Sequence, residues 1–98
     1  MKTLNVPSNY FYQGPRFKYL GPNSAEQFKE EQLNSFLDSL NGEEGLIDFS
    51  GTKVFMASWI AEAFYGKKED GYNLSFKGMP YEWLEFTNKM YNEKKIGV

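Results

Sequence analysis

The chain has 98 residues, a net charge of −2, and neither cysteine nor histidine. That length suits one domain, and no stretch rich in Pro, Gly and Ser is long enough to separate two cores, so we expect a single domain over residues 1–98. Without cysteine there is no disulfide, and without histidine the usual general base and zinc ligands are missing. We therefore predict a protein that is not an enzyme and that carries no metal or cofactor.

The charges exclude one class of partner. Eleven basic and thirteen acidic residues are mixed along the chain, so no electrostatic footprint for nucleic acid is visible. The first residues lack the apolar core of a signal peptide, and no run approaches the length of a membrane span. We expect a cytoplasmic protein that binds neither nucleic acid nor membrane.

Two strands are predicted before the first helix. Leu4 and Val6 alternate with polar residues, which indicates a short strand whose register stays open. Residues 16–20 favour a second strand, because Phe17 and Tyr19 would share one face.

The clearest helix signal follows. Ser24 and Gln27 have the spacing of a capping box, in which the serine hydroxyl and the glutamine side chain satisfy amides at the helix start. Asn41 and Gly42 predict its end, since both enter left-handed backbone readily. The helix carries one apolar stripe, formed by Phe28, Leu33, Phe36, Leu37 and Leu40.

The second half of the chain alternates strands and helices. Residues 46–49 form a mainly apolar run that suits a buried, central strand, and residues 58–65 predict a short, largely buried helix. Leu74 and Phe76 alternate as in a strand, and Pro80 suits the first turn of a last helix. That helix should pack inward through Trp83, Phe86, Thr87 and Met90.

This order of elements predicts an α/β fold. We expect a small mixed sheet of about four strands covered by about three helices. The connection from residues 16–20 to residues 46–49 should be a right-handed crossover.

Two stretches resemble a known family: GPRFKYLGPNSAEQFKEEQL (residues 14–33) and LIDFSGTKVFMASWIAEAFYG (residues 46–66). They are similar to the bacterial STAS-like domains of unknown function, relatives of the STAS domains in anti-sigma-factor antagonists and sulfate-transporter tails. The matching positions are Gly14, Arg16, Gly21, Pro22, Ser24, Phe28, Asp48, Gly51, Ser58, Glu62 and Phe64. The chain departs from the family pattern at Ala57, Trp59 and Tyr65.

The resemblance implies a compact α/β domain without enzymatic activity that binds a protein, and the wider STAS group suggests an ATP-binding, histidine-kinase-like partner. In antagonist STAS domains a serine at the start of the helix after the central strand is phosphorylated, and Ser58 takes that place. A phosphate there would be stabilised by the helix N-terminus. The alternative is that Ser58 only caps the helix.

Three charged residues have both a functional and a structural interpretation. Asp48 could hold a ligand at the end of a strand, in a small-molecule or nucleotide-binding cleft near Ser58, or could form an Asx turn with the amides that follow it. Arg16 could clamp a carboxylate of the partner, or pair with Glu62 or Asp48 within the fold. Glu62, on an otherwise apolar helix, indicates an internal ion pair or the edge of a contact surface.

Aromatic residues are the remaining candidates for a protein interface. Nine Phe, seven Tyr and two Trp exceed what so small a core readily holds, so we expect some to be exposed. The candidate interface anchors are Trp59, Tyr65, Trp83, Tyr10, Phe11 and Tyr12.

Overall fold

Three short strands form one parallel sheet in the computed structural model, which describes residues 1–95. They are β1 (Lys2–Asn5), β2 (Gly45–Asp48) and β3 (Leu74–Lys77), and β2 lies between the other two. Strands are therefore confirmed at Leu4, at residues 46–48 and at Leu74, and so is the central position of the second, whereas Val6 and Phe49 lie just beyond the strands that were predicted to include them.

Three helices accompany the sheet. The first, α1, covers residues 25–40, and its middle turn is π-helical. The second and third are α2 (Ala57–Phe64) and α3 (Tyr81–Asn92). Short 3-10 turns occur at Ser8–Tyr10 and Lys18–Leu20. No helix within residues 1–95 is long and apolar enough to cross a bilayer.

The start and end of α1 follow the predicted chemistry. The hydroxyl of Ser24 accepts a hydrogen bond from the Gln27 amide at 3.0 Å. The Gln27 side chain reaches back at 2.9 Å, although to the amide of Asn23 rather than to that of Ser24. After the last turn, Asn41 takes a left-handed conformation with φ +49° and Gly42 follows with φ +84°. The capping residues therefore fix both ends of the helix.

The predicted strand over residues 16–20 is wrong. Its last three residues form a 3-10 turn, and the amide of Lys18 donates to the Glu26 side chain at 2.9 Å instead of to a neighbouring strand. The Phe17 and Tyr19 rings stack on each other, with centroids 5.9 Å apart, and Tyr19 is 82% exposed. The alternation of aromatic and basic residues over 16–20 therefore comes from two rings that stack on each other at the surface, and it does not indicate a strand. The sheet consequently has three strands, all parallel, rather than four in a mixed arrangement.

The helices all pack on the same face of the sheet. Leu4, Ile47 and Phe76 share one register row and belong to the core. The Phe76 ring contacts Phe64 of α2 at 5.0 Å and Tyr91 of α3 at 5.7 Å between centroids. The next row, Asn5, Asp48 and Lys77, lies on the opposite, polar face, where the first and last of the three are exposed.

Candidate functional site

The helix that carries Ser58 begins one residue earlier than predicted. Its N-cap residue is Met56, whose side chain makes no capping hydrogen bond, and the Met56 amide donates instead to the Gln13 side chain at 2.8 Å. Ser58 is thus the second residue of α2, and it is exposed. The alternative in which Ser58 only caps the helix is wrong, because the cap position belongs to a different residue.

An exposed apolar surface lies directly before Ser58. Tyr12 and Val54 are partners in an isolated parallel bridge, and the Gln13 amide donates to the Val54 carbonyl at 3.1 Å. Tyr12 is 60% exposed, Val54 42% and Met56 44%. We call these three residues, Tyr12, Val54 and Met56, the Tyr12 patch. Two segments that are distant in sequence thus form one surface at the start of α2.

Aromatic packing in the core anchors the segment that carries Val54 and Met56 of the Tyr12 patch. Phe55, between two exposed residues, turns inward and stacks on Trp83 of α3 with ring centroids 5.5 Å apart. It also contacts the fully buried Phe49 at 6.3 Å. Above the patch, the Lys53 ammonium lies 6.0 Å from the centroid of the Tyr12 ring. The backbone of Tyr12 is thus held by its bridge to Val54, while its ring stays exposed.

Trp59 is not an interface anchor. The structure buries it completely, and its ring contacts Phe28 at 4.8 Å between centroids. Tyr10 is also completely buried and contacts both of these rings. Both predictions of an anchor are wrong, because these large rings form the centre of the core. The predicted excess of aromatic residues at the surface is confirmed, by Tyr12, Tyr19, Tyr65 and Tyr81.

Glu62 makes an internal ion pair with two partners. The Lys29 ammonium lies 2.9 Å from its carboxylate, and Arg16 Nε lies 3.3 Å away. The Arg16 contact is purely electrostatic, since its geometry is not that of a hydrogen bond. The pairing of Arg16 with Glu62, one of the predicted alternatives, is confirmed. Sequence reasoning missed Lys29, which only the packing of α1 against α2 brings to this carboxylate.

Asp48 closes an Asx turn at the end of β2. Its Oδ1 accepts hydrogen bonds from the hydroxyl of Ser50 and, at 2.9 Å, from the Ser50 amide. The Lys77 ammonium lies 3.9 Å from Oδ2. The hydroxyl hydrogen bond, followed by the amide and Lys77, holds the pKa of Asp48 below its usual value. The predicted Asx turn at Asp48 is therefore confirmed for the amide of Ser50. Because its pKa is lowered, the Asp48 carboxylate is ionised at neutral pH.

A small cavity lies away from Asp48, Ser58 and the Tyr12 patch. It has a volume of about 200 Å³ and is lined by Lys68, Glu69, Asn92 and Lys94, near the end of α3. Asp48 and Ser58, which border the binding cleft in the alternative hypothesis of a small-molecule or nucleotide-binding domain, do not line this cavity. Its lining combines two cations, a carboxylate and an amide, and none of the predicted site residues contributes.

No protein-family model matches the chain, and comparisons with curated proteins and with solved structures give no match either. The geometry itself defines the class: a two-layer α/β domain whose three-stranded parallel sheet is covered by helices on one face. Its exposed apolar residues include the Tyr12 patch, which lies beside the accessible Ser58, and the neighbouring pair Tyr19 and Leu20.

Proposed function

We propose that this protein is a regulatory or adaptor domain that binds another protein through the Tyr12 patch. The observation that carries the proposal is the exposure of Tyr12, Val54 and Met56 side by side, on backbone held by the bridge between residues 12 and 54. Contiguous exposed apolar side chains mark interaction surfaces, and Tyr and Met are enriched in them. The stack of Phe55 on Trp83 supports the patch from below.

Ser58 supplies a switch for this contact in the proposal. It is exposed within the first turn of α2, where amides without intrahelical acceptors and the helix dipole favour an added phosphate. A phosphate brings a charge of about −1.5 to −2. Placed two residues from Met56, at the margin of an apolar contact, that charge would have to be desolvated for the partner to bind. Phosphorylation of Ser58 therefore weakens the interaction.

The partner in this proposal is an ATP-binding, histidine-kinase-like protein. Support comes from the resemblance of residues 14–33 and 46–66 to STAS-like domains and from the place of Ser58 after the central strand. The order of β2, the Asx turn at Asp48 and α2 is compatible with that resemblance. A kinase partner would also explain why an accessible serine lies next to the contact surface.

The experiment compares single substitutions within and outside the patch. Tyr12→Ser and Met56→Ser should abolish recovery of the partner from an extract of the native host, whereas Tyr81→Ser should leave it intact. Tyr81 is a suitable control because it is 74% exposed and lies on α3. Tyr19→Ser tests the other exposed aromatic surface. Equal recovery by all four variants, or loss with Tyr19→Ser alone, would contradict the proposal.

The switch is tested with the same partner after its identification. Ser58→Asp should weaken its affinity, whereas Ser58→Ala should bind as tightly as the native chain. Incubation of the two proteins with ATP should place a phosphate on Ser58, detected by mass spectrometry. Undiminished affinity of Ser58→Asp would remove Ser58 from the proposal and leave the Tyr12 patch to be judged separately.

A further inference from the structure

A cluster of charged side chains lies outside the Tyr12 patch, where residues 93–95 meet the loop after α2. Asp70 accepts hydrogen bonds from the Lys95 ammonium with both carboxylate oxygens, at 2.8 and 2.9 Å. The Lys95 side chain crosses Gly66, where an added Cβ would lie 2.7 Å from its Cε. Gly66 has φ +70°, so a glycine suits this position for both space and backbone conformation.

Lys67 occupies an unusual place in this cluster. Its side chain keeps only 17% of its surface exposed, and its ammonium lies 3.8 Å from Asp70, beyond hydrogen-bonding distance. Asp70 is already bound by Lys95, so Lys67 shares a partner instead of having its own. Two further charged groups face it from other elements: Lys29 on α1 and Glu62 on α2.

These surroundings shift the protonation equilibrium of Lys67 toward the uncharged amine. Burial of the Lys67 side chain, followed by repulsion from Lys29, lowers its pKa, and Lys95 acts in the same direction. Attraction to Asp70 and to Glu62 opposes the shift without cancelling it. More of Lys67 is therefore unprotonated near neutral pH than of an unperturbed lysine, and only the unprotonated amine is nucleophilic.

The cluster is also positive on a chain that is negative overall. Four cations, Arg16, Lys29, Lys67 and Lys95, face three carboxylates: Glu62, Asp70 and Glu69, the last of which attracts the Lys95 ammonium. The whole chain has a net charge of −2. A local excess of positive charge raises the concentration of small anions at the surface. Reagents that carry a phosphate are therefore drawn to the neighbourhood of Lys67.

We propose that Lys67 is an acylation site that reacts selectively with acyl phosphates. The Lys67 amine attacks the acyl carbon, a C–N bond forms, and the C–O bond to phosphate breaks. Phosphate leaves with the electron pair of that bond, and the proton lost from nitrogen passes to water. Lys29 and Lys95 attract the anionic donor, and Lys95 keeps Asp70 occupied. The product is a neutral amide at position 67 and a cluster with one positive charge fewer.

The experiment treats the purified chain with acetyl phosphate near neutral pH and follows acetylation of each lysine by mass spectrometry with fragmentation. Lys67 should be acetylated severalfold faster than its exposed neighbour Lys68. Lys95→Met should slow the reaction at Lys67 severalfold, because Asp70 then pairs with Lys67 and favours its protonated form. Lys94→Met is the matched control and should leave the rate unchanged.

A parallel reaction with acetic anhydride, a neutral donor, separates the effect of the lowered Lys67 pKa from the effect of charge attraction. Only an anionic donor such as acetyl phosphate is attracted by the positive cluster. The preference for Lys67 over Lys68 should persist with this reagent but be smaller than with acetyl phosphate. An equal preference with both donors would overturn the selectivity for acyl phosphates. The acylation site itself is overturned if Lys67 reacts no faster than Lys68, or if Lys95→Met and Lys94→Met give the same rate.

Discussion

The indole Nε1–H of Trp59 donates a hydrogen bond to the carbonyl oxygen of Asn23, with 3.1 Å between the two atoms. The bond joins α2 to the turn before α1, in which Asn23 has a left-handed conformation with φ +59°. The same turn provides the Ser24 cap of α1. One buried side chain thus connects the helix that carries Ser58 to the turn from which α1 begins.

Replacement of Trp59 by Phe should destabilise the fold. Trp59→Phe removes part of a fully buried ring system and leaves the Asn23 carbonyl without its partner. We expect the free energy of unfolding to fall by about 2 to 4 kcal/mol. Urea denaturation followed by far-UV circular dichroism measures this quantity. A loss below about 0.5 kcal/mol, the usual range for surface changes, would show that the bond and the packing contribute little.

Removal of the Tyr91 hydroxyl alone should lower the free energy of unfolding as much as many substitutions in the core do. Its oxygen accepts a hydrogen bond from the Leu74 amide at 2.9 Å, and its O–H donates to the Tyr72 carbonyl at 2.6 Å. Tyr91→Phe leaves both groups unpaired, so it should cost about 1 to 3 kcal/mol in chemical denaturation. Tyr81→Phe, at an exposed position of the same helix, should cost almost nothing. Equal midpoints for the two variants would contradict the role of Tyr91.

Two glycines with similar backbone angles should differ in their tolerance of alanine. Gly78 has φ +82°, and an added Cβ would lie 2.8 Å from Asp48 Oδ1 and still closer to the Ser50 nitrogen. Gly42 has φ +84° with open space around it. Gly42→Ala should therefore cost about 1 kcal/mol from backbone strain alone. Gly78→Ala should cost clearly more, because it also disrupts the Asx turn. Thermal denaturation of both variants decides this, and a Gly78→Ala protein as stable as Gly42→Ala would refute it.

The free energy of unfolding should fall in alkaline solution, because Tyr10 ionises less readily in the folded chain than in the unfolded one. Burial, followed by the hydrogen bond to Glu31, raises its pKa to about 12 from 10.0. The unfolded chain then loses this proton more readily than the folded one. The stabilisation from Tyr10 is complete below pH 10 and is lost as the pH rises to about 12. It amounts to about 2 to 3 kcal/mol.

The test of this pH dependence is a comparison with Tyr10→Phe. The variant lacks the ionising group, so its free energy of unfolding should decline less between pH 10 and about 12 than that of the native chain. Lysines and the other tyrosines titrate in both proteins and cancel in the difference. Parallel curves for the two proteins across this interval would disprove the assignment.

Local chemistry made much of the fold predictable. The run at residues 46–49 is apolar enough to be recognised as a buried strand, and the pair Ser24 and Gln27 marks a helix start through bonds within one turn. The error at residues 16–20 has a different origin. Alternation identifies a strand only if one face is buried, whereas here Phe17 and Tyr19 bury part of their surface against each other.

The candidate site was predictable only in part, because its contacts are not local. The Asx turn at Asp48 involves a neighbour two residues away and could be foreseen. The Tyr12 patch depends on the pairing of residue 12 with residue 54, for which no short-range signal exists. Burial of Trp59 likewise depends on its contact with Phe28 of α1. The spacing of apolar residues identified the helix that carries Ser58. It could not show which aromatic rings are exposed at the protein surface and which are buried in the core.

Cross-linking from the Tyr12 patch tests the proposed interface most directly. A photoreactive amino acid in place of Val54, activated in the native host, should give a single protein adduct, and Met56→Ser in the same chain should abolish it. The same amino acid in place of Tyr81 should give none. If position 81 yields the adduct and position 54 does not, the interface lies elsewhere and the Tyr12 patch is an ordinary part of the surface.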